Sequence, residues 1–385
     1  MEEQEVKKIH RATKDDDDDD GCQVDHIPLD LTLEIISRLP AKSIARFLSV
    51  SKLWSSFTTF PSLINSFASR SSSLPPRLLL TFSLHGKHFV FCFPQNQNHE
   101  GFYPPFYSYQ ITNPKYYGIK LSESVHGLIL LRNLVVWNPT LRRLLTFPQP
   151  QQTISLKDLP YLGYCSYLGY DPLEGKHKVL FMLRMKYTDQ PRVFTLGGQE
   201  SWRIITKGRC PMHSPTGGYG RCFNGILYYE AHDTDGHRII MSFDVKHENF
   251  NLIKLPEGCY QLPCHMTLHE GRLALVPRSV HFGKLDLYIL KNPNRDEWLH
   301  EKCFLDIPAS VFFNGVTAAG ELVFTTAKKE SLSIVYFNPS SNIMRVALFE
   351  GIVGGDFRRR YGLSSYGDIY NISVFPNHSE TLVSF

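Results

Sequence analysis

One short stretch of this sequence, CYQLPCH, holds three residues whose side chains can ligate a metal ion. Cys259, Cys264 and His265 offer two thiols and an imidazole, groups that zinc prefers. A zinc site needs a fourth ligand and a second paired element, and the eight cysteines are otherwise scattered without any CxxC pair. The sequence therefore predicts neither a metal nor a cofactor, and the cysteines are interpreted as small buried residues or loop thiols.

A second stretch, YEAHDTDGHRII, concentrates groups that could bind a metal or exchange protons. It contains His232, Asp233, Asp235 and His237. The stretch lies between two runs of strand-forming residues, where Asp and Gly are common residues of a tight turn. A hairpin turn is therefore the favoured interpretation, and a metal or acid–base cluster is the alternative.

Two further clusters suit binding better than catalysis. The stretch DFRRRYG places three consecutive arginines beside a tyrosine, which could receive an acidic or phosphorylated segment of a partner. The stretch FYPPFYSYQITNPKYY, at residues 102–117, is rich in aromatic residues and proline, and its pattern is too irregular for a β-strand. The alternative for the arginine stretch is a solvated loop. The alternative for the aromatic stretch is an insertion packed over the rim of a domain. The residues predicted from these clusters to bind a partner are Tyr103, Phe106, Tyr107, Arg358, Arg359 and Arg360.

The charge of the chain is divided unevenly. The formal net charge is +4, yet residues 1–25 contain ten acidic and four basic side chains, so the remainder carries +10. The aspartates at residues 15–20 repel one another and bury no apolar surface, which predicts a disordered acidic tail over residues 1–25. Because there is no signal-peptide pattern and no apolar run of 18 residues, the chain is expected in the cytoplasm, the nucleus or both, with no membrane partner.

Residues 26–70 are predicted to form three to four short helices. Apolar residues recur at helical spacing after Asp30, which suits the N-cap position, and Pro40 ends the first helix. Two more short helices follow, and Pro61 restarts the chain for one or two further turns. The first helix is apolar on more than one stripe. Either the domain behind it or a partner protein is expected to cover the surplus.

The stretch IPLDLTLEIISRLPAKSIARFLSVSKLWSSFTTFPSLI resembles an F-box, the helical motif that docks onto a Skp-type adaptor of a cullin–RING ubiquitin ligase. Its long, regular spacing carries the resemblance, with Ile27 and Ser51 as mild departures from the usual leucine and cysteine. A helix-turn-helix is the rival, but LSVSKLWSSF offers only one basic residue for a recognition helix, so no nucleic acid is expected. The resemblance implies that the adaptor-binding residues are Pro28, Leu29, Leu31, Ile35, Leu39, Pro40, Ile44, Val50 and Trp54.

A repeat with a period near 48 residues follows a short linker at residues 71–76. Glycine before or within strand-forming runs recurs at intervals of 48, 50, 46 and 49 residues, and Gly86 is a candidate first member. With about four strands per period, residues 77–385 are predicted to form a mainly β propeller of about six blades. A pair of β-sandwiches is the alternative. The recurring residues are Gly127, Gly175, Gly225, Gly271 and Gly320, with Asn138, Asp244, Asn292 and Asn338 as a second series.

The stretches GLILLRNLVVWNPTLRRLLTFP and YLGYDPLEGKHKVLFMLRMKY resemble the opening of the plant F-box-associated interaction domain, which is kelch-like, although the kelch diglycine is missing. Together the resemblances imply the substrate-recognition subunit of an SCF-type ubiquitin ligase. Its F-box would dock the Skp-type adaptor, and through it the cullin and RING subunits, while the propeller would hold an unidentified substrate protein. The alternative is an F-box scaffold or inhibitor that binds a partner without ubiquitinating it.

Catalysis is not expected in this chain. A nucleophile elbow, a P-loop, a GxGxxG opening a helix and a paired metal-ligand motif are all missing from the sequence. On the family resemblance, the covalent chemistry would belong to the ubiquitin-conjugating enzyme and the RING subunit, and this chain would contribute proximity. A propeller enzyme with catalytic groups in its central channel is the third hypothesis.

Overall fold

The computed structural model divides the chain into two units. The helical unit comprises Met1–Leu74, Asn138–Arg143 and Glu380–Phe385, and the β unit comprises Pro75–Trp137 and Leu144–Ser379. The structure describes residues 27–383 except for residues 48–49, 51, 58–59, 96–103, 112–122, 132–133, 151–162, 185–189, 199–200, 207–209, 261–263, 278–283, 294, 305–310, 329–330, 350–351, 365–366 and 368.

The helices of the helical unit begin and end close to the proline signals. The first begins directly after Pro28, so Asp30 lies in the first turn and not at the N-cap position predicted for it. A carboxylate in the first turn still interacts favourably with the helix dipole. The helix ends at Ser37, before the backbone turns at Pro40. The bounds are α1 (Leu29–Ser37), α2 (Ala41–Phe47), α3 (Lys52–Ser56) and α4 (Pro61–Ser73).

The fourth helix is longer than the one or two turns predicted from sequence. It has Pro61 at its first position, where a missing N–H costs nothing, and it runs for 13 residues to Ser73. The helix therefore takes in the first three residues of the predicted linker at 71–76. Among the helices of the described residues, none combines the length and the apolar character needed to cross a membrane.

The core of the helical unit is assembled from three separate parts of the sequence. Leu141, in the turn at residues 138–143, is 7 % exposed, and Leu382 is fully buried. Both pack among apolar side chains of the helical segment. The predicted division placed all of residues 77–385 in the β domain, whereas these two segments are grouped with the helical unit. The helical contributors to this core are Ile36, Ala41, Ile44, Phe57, Phe60, Leu63 and Phe67.

The β unit consists of six four-stranded sheets among the described residues. Sheet 1 contains β1 (Arg77–Leu84), β2 (Lys87–Pro94), β3 (Tyr107–Ile111) and β24 (Tyr370–His378). Sheets 2 and 3 contain β4 (Ser124–Val125), β5 (Leu128–Leu131), β6 (Val135–Asn138), β7 (Arg143–Thr146), β8 (Tyr164–Asp171), β9 (Lys176–Leu183), β10 (Arg192–Thr195) and β11 (Arg203–Ile204). Sheets 4 to 6 contain β12 (Ser214–Phe223), β13 (Ile226–His232), β14 (Arg238–Asp244), β15 (Phe250–Lys254), β16 (Cys264–His269), β17 (Arg272–Pro277), β18 (Lys284–Asn292), β19 (Glu297–Phe304), β20 (Phe312–Val316), β21 (Leu322–Lys328), β22 (Ser331–Asn338) and β23 (Ile343–Phe349).

The innermost strands of the six sheets form a closed ring. In sheets 2 to 6 the innermost strand is the first in sequence, and in sheet 1 it is β24, which pairs with β1 through Leu80 and Val374. Around the ring, β24, β4, β8, β12, β16 and β20 contact one another in turn, and β20 contacts β24 again. Apolar side chains fill the space between neighbouring sheets. The β unit is therefore a six-bladed propeller, which confirms the predicted fold.

The repeating glycines lie in the turns that join the innermost strand of a blade to the second strand. Asn224–Gly225 and Glu270–Gly271 have positive φ at both positions, which is the geometry of a type I′ turn. Glycine adopts this geometry without steric cost. Gly86 also lies in a two-residue turn, but it joins β1 to β2, the second and third strands of its blade. This displacement explains its shorter interval of 41 residues to Gly127.

Two tryptophans join neighbouring blades at the rim. The indole N–H of Trp202 donates to the carbonyl oxygen of Pro148 at 2.6 Å, and that of Trp298 donates to the carbonyl oxygen of Lys254 at 2.9 Å. Trp298 lies on the outermost strand of blade 5, Trp202 lies directly before that of blade 3, and each acceptor belongs to the outer part of the preceding blade. The 96 residues between the tryptophans therefore correspond to two blades.

Candidate protein-docking surfaces

The outward face of α1 carries an apolar stripe. Leu31 and Ile35 are 48 % and 52 % exposed, and their spacing of four residues places them along one side of the helix. Ile27, two residues before the helix begins, is 60 % exposed. We call these three residues the α1 stripe. Aliphatic side chains that remain contiguous and exposed mark a surface that another molecule covers.

The opposite face of α1 is fixed by the core of the helical unit. Ile36 is 3 % exposed, and Leu29 and Leu33 pack against the same core from the edge. The hydroxyl of Thr32 donates to the carbonyl oxygen of Pro28 at 3.1 Å within the first turn. Because these contacts set the rotation of the helix about its axis, the α1 stripe faces away from the core of its own unit.

The ends of α1 present further residues of the predicted adaptor surface. Pro28 and Pro40 are exposed, and Leu39 is half-buried. The carbonyl oxygen of Pro40 accepts a hydrogen bond from the N–H of Ser43 at 2.8 Å, which begins α2. Val50, after α2, is 71 % exposed. Within the described part of the helical unit, these positions are accessible to a partner protein.

The structure corrects the prediction for Ile44, and it gives Trp54 a second role. Ile44 is 1 % exposed and lies in the core between the helices, so it supports the docking face without forming part of it. Trp54 is half-buried, with its ring 5.1 Å from that of Phe47 and 5.4 Å from that of Phe57. Both residues have apolar side chains at helical spacing, a pattern that does not distinguish a core position from a docking position.

Arg358 is also corrected, because its side chain is buried. It belongs to α5 (Gly355–Arg360), in the connection between β23 and β24, and it is 4 % exposed. Its guanidinium group donates to the carbonyl oxygens of Val353 at 3.2 Å, Ser364 at 3.2 Å and Gly367 at 2.9 Å. Arg358 therefore holds the β23–β24 connection together and cannot bind a partner in this conformation.

The other predicted partner-binding residues differ widely in exposure. Arg359 and Arg360 are exposed, and Arg359 pairs with Asp356 on the same helix. Phe106 is 48 % exposed with the guanidinium carbon of Arg77 4.5 Å from its ring centroid. Tyr107, at 7 % exposure, packs in the core between blades and is corrected to a structural residue. Tyr103 lies outside the described residues.

The arginines and Phe106 lie at opposite ends of blade 1. The ammonium group of Lys87, beside the β1–β2 turn, donates to the carbonyl oxygen of Tyr361, directly after α5, at 2.9 Å. Phe106 instead donates its N–H to the carbonyl oxygen of Cys92, near the other end of β2. Lys87 and Cys92 are five residues apart on β2, which corresponds to about 17 Å. The two predicted clusters therefore do not form one site.

The two stretches that hold candidate metal ligands also have local structural roles. Asp233, Asp235 and His237 offer ligand atoms within 4.8 Å of one another. A carboxylate oxygen of Asp233 accepts the backbone N–H groups of Asp235 at 3.0 Å and His237 at 2.8 Å, which closes the turn between β13 and β14. Cys259 and Cys264 are buried between blades 4 and 5. The hydrogen bond to Cys264, together with burial, raises the pKa of the Cys259 thiol. A neutral thiol in an apolar core is a packing group.

Two histidines with strongly shifted pKa values join neighbouring blades near the central ring. Burial lowers the pKa of His177 and of His378 to about 3, so both imidazoles are neutral at pH 7. Nε2 of His177 donates to the carbonyl oxygen of Val125 at 2.9 Å, and Nδ1 of His378 lies 2.8 Å from Oγ of Ser124. These contacts could not be predicted from sequence patterns, because the partners lie in different blades.

Glu123, directly before β4, is a carboxylic acid with a strongly shifted pKa. Burial raises the pKa of Glu123 to about 7, although Arg221 lies 3.4 Å away and opposes the rise. The carboxylate also accepts the backbone N–H of Cys222. Such a group could exchange protons near pH 7. Its oxygens are engaged by β12, so we assign it to the connection between blades 2 and 4.

The sequence matches two protein-family models in the order that the fold displays. Residues 24–65 match the F-box domain, and residues 77–379 match the F-box associated beta propeller domain. The chain belongs to the F-box proteins with an F-box-associated β-propeller. The F-box protein At5g18160 of Arabidopsis thaliana is 40 % identical over 371 residues, which cover 94 % of this chain and 92 % of that protein. The F-box protein At1g48060 of the same plant is 32 % identical over 389 residues, with 93 % of each chain covered.

Solved structures share much less with this F-box protein. The crystal structure of TolB from Acinetobacter baumannii is 11 % identical at a TM-score of 0.33, over 73 % of this chain and 71 % of that chain. This likeness is too low to support an argument. The family assignment gives the two units their general roles: an F-box is a module that binds a Skp-type adaptor, and the propeller is the module for a target protein.

Proposed function

We propose that this F-box protein is the substrate-recognition subunit of an SCF-type ubiquitin ligase. Its F-box docks a Skp-type adaptor, the adaptor connects it to the cullin and RING subunits, and the propeller binds the protein that is to be ubiquitinated. The observation that carries the proposal is the α1 stripe, three exposed aliphatic residues on and directly before a helix whose other face is fixed in a core. On this proposal the protein acts in the cytoplasm, the nucleus or both.

Substitution of the α1 stripe tests adaptor docking. Leu31→Asp combined with Ile35→Asp removes two aliphatic contacts, each worth roughly 1.5–3 kcal/mol when fully buried, and adds a desolvation cost for two charges. We expect the affinity for a plant Skp-type adaptor, measured by calorimetry, to fall by about a hundredfold or more. Leu173→Asp is the matched control, because Leu173 is 75 % exposed in the β8–β9 turn. Equal affinities for the two variants would refute docking through the stripe.

The propeller end at which the innermost strands begin supports the target-binding role. Large apolar side chains are exposed at the first residue of two of these strands, Phe312 at 68 % and Tyr370 at 43 %, and shortly before two others, Met212 at 52 % and Tyr260 at 42 %. The exposed arginines of α5 lie in the connection that leads into β24. Aromatic and arginine side chains are the residues that most often dominate binding energy at protein interfaces. We assign the target-binding surface to this end.

Affinity capture from plant extract with the proteasome inhibited tests this assignment. A variant with Phe312→Ser and Tyr370→Ser should lose captured proteins that the wild type retains, whereas Phe106→Ser, at the other end of blade 1, should keep them. Retention by the first variant and loss by the second would place the target at the opposite end. Ubiquitination of a captured protein in a reconstituted ligase then separates a receptor from a scaffold that binds its partner without modifying it.

A further inference from the structure

Residues 380–383, which follow β24, form a segment of the helical unit whose first three residues are buried. We call this segment the strap. Glu380, Thr381 and Leu382 are 5 %, 4 % and 0 % exposed. Leu382 packs in the same core as Ile36, the residue on the inner face of α1. The strap therefore supports the helix whose outer face carries the α1 stripe.

One polar side chain fixes the strap to the turn at residues 138–143. The amide nitrogen of Asn138 donates to the carbonyl oxygens of Thr381 at 3.1 Å and Val383 at 2.9 Å, and its amide oxygen accepts the N–H of Leu141 at 3.1 Å. Asn138 is completely buried, and all three of its bonds are made inside the helical unit. Loss of the two donors would leave two buried carbonyl groups without these partners.

A second asparagine, Asn338, occupies an equivalent turn and shows which hydrogen bonds of Asn138 are needed for the turn alone. Asn338 ends β22 as Asn138 ends β6, and each is followed by proline. The amide oxygen of Asn338 accepts the N–H groups of Ser340 and Ser341. In blade 4 the carboxylate of Asp244 makes the same kind of contact with Lys246 and His247, so aspartate also serves the turn. Of Asn138, Asp244 and Asn338, it is Asn138 that also donates hydrogen bonds to the strap.

We infer that Asn138 and the strap are positioning elements of the adaptor-docking surface, so that adaptor affinity depends on residues more than 60 positions outside the F-box sequence. This inference rests on the proposed function. When the strap is displaced, the inner face of α1 loses the packing of Leu382, and α1 no longer holds the α1 stripe in one orientation. The apparent affinity then falls in proportion to the fraction of molecules in which the core is closed.

Asn138→Asp tests the inference in the full chain, with Asn338→Asp as the matched control. Aspartate at position 138 keeps an oxygen for the N–H of Leu141, but it turns its other carboxylate oxygen toward the carbonyl oxygens of Thr381 and Val383. We expect roughly tenfold weaker binding of a plant Skp-type adaptor and roughly tenfold faster amide hydrogen exchange in α1 and α2. Asn338→Asp should stay within about twofold of the wild type in both measurements.

Leu382→Ala is the second variant, used in case Asn138→Asp does not yield folded protein. It should accelerate exchange in α1 by about thirtyfold or more while the propeller strands keep their protection. Saturating adaptor should restore the protection of α1 in either variant, which a general loss of folding would prevent. Unchanged exchange in α1 and α2 would overturn the inference. If the wild type itself fails to bind the adaptor, the proposed function fails, and the exchange measurements still decide the role of the strap.

Discussion

Arg70 donates a hydrogen bond from Nη1 to the carbonyl oxygen of Ser37 at 2.7 Å. The bond joins α4 to the last residue of α1, where a helix leaves carbonyl groups without partners and where a positive charge is favourable. Arg38, one residue later, instead forms an exposed ion pair with Glu34 one turn back. The end of α1 is therefore contacted by two arginines of different kinds. Arg70 connects two helices, whereas Arg38 forms a surface ion pair with Glu34 of α1.

Arg70→Ala should lower the free energy of unfolding of the helical unit by about 1.5–3 kcal/mol, because a charge-assisted hydrogen bond to a helix terminus is lost. Hydrogen exchange in α1 and α4 measures this change. Arg38→Ala is the comparison variant and should change the stability by no more than about 0.5 kcal/mol. Similar effects of the two substitutions would show that the α1–α4 contact contributes little.

The propeller should lose stability in mild acid. Because the pKa of His177 and of His378 is lowered to about 3 in the folded state, the unfolded chain takes up protons first as the pH falls below about 6.5. This stability is fully present above that pH and is lost progressively toward pH 3. Between pH 7.5 and pH 5, each histidine should cost roughly 2 kcal/mol.

Urea denaturation at the two pH values measures the acid effect, and His177→Gln provides its control. Glutamine keeps an N–H donor for the carbonyl oxygen of Val125 and cannot take up a proton. The variant should therefore show a difference between pH 7.5 and pH 5 that is smaller by roughly 2 kcal/mol. An unaltered pH dependence in the variant would assign the acid sensitivity to other groups.

Matched glycines in blades 4 and 5 should differ in their tolerance of alanine. Gly225 and Gly271 both have positive φ, which costs a residue with a Cβ atom roughly 1–2 kcal/mol. A Cβ on Gly225 would also lie 3.0 Å from Cδ of Pro172, whereas a Cβ on Gly271 would meet open space. Gly225→Ala should therefore lower the thermal midpoint more than Gly271→Ala. The reverse order would mean that the space beside Pro172 relaxes freely.

Substitutions of two arginines in α5 should have different effects, one on the stability of the propeller and the other on target binding. Arg358→Ala removes the donor group of three carbonyl oxygens and should destabilise the propeller by roughly 2–4 kcal/mol, since buried acceptors lose their partners. Arg360→Ala affects an exposed side chain and should change stability by less than about 0.5 kcal/mol. On the proposed function, Arg360→Ala should weaken target capture while thermal denaturation stays unchanged.

The number of blades was predictable because each blade repeats a local chemical signal. A two-residue turn with positive φ at both positions favours glycine at the second position, so Gly225 and Gly271 mark their blades in the sequence. Asp244 and Asn338 likewise cap turns through backbone groups two and three residues ahead. Such turns depend only on residues that are close in sequence, so they can be predicted from short segments of the chain.

The orientation of individual side chains was harder to predict because it depends on distant parts of the chain. The apolar pattern of the F-box did not separate Ile35, which is half exposed, from Ile44, which is buried. Arg358 has the same neighbours in sequence as Arg359, yet its acceptors come from residues on both sides of the helix. Nothing near Leu382 in the sequence indicates a partner in the F-box.

The pairing of β24 with β1 also sets an order for folding. Blades 2 to 6 each contain strands that are close in sequence, so they can form soon after their residues leave the ribosome. Blade 1 must wait until Tyr370–His378 has been synthesised, and until then one edge of β1 has unpaired backbone groups. We therefore expect the nascent chain to depend on chaperones chiefly at Arg77–Leu84, and slow elongation before β24 to promote aggregation through this strand.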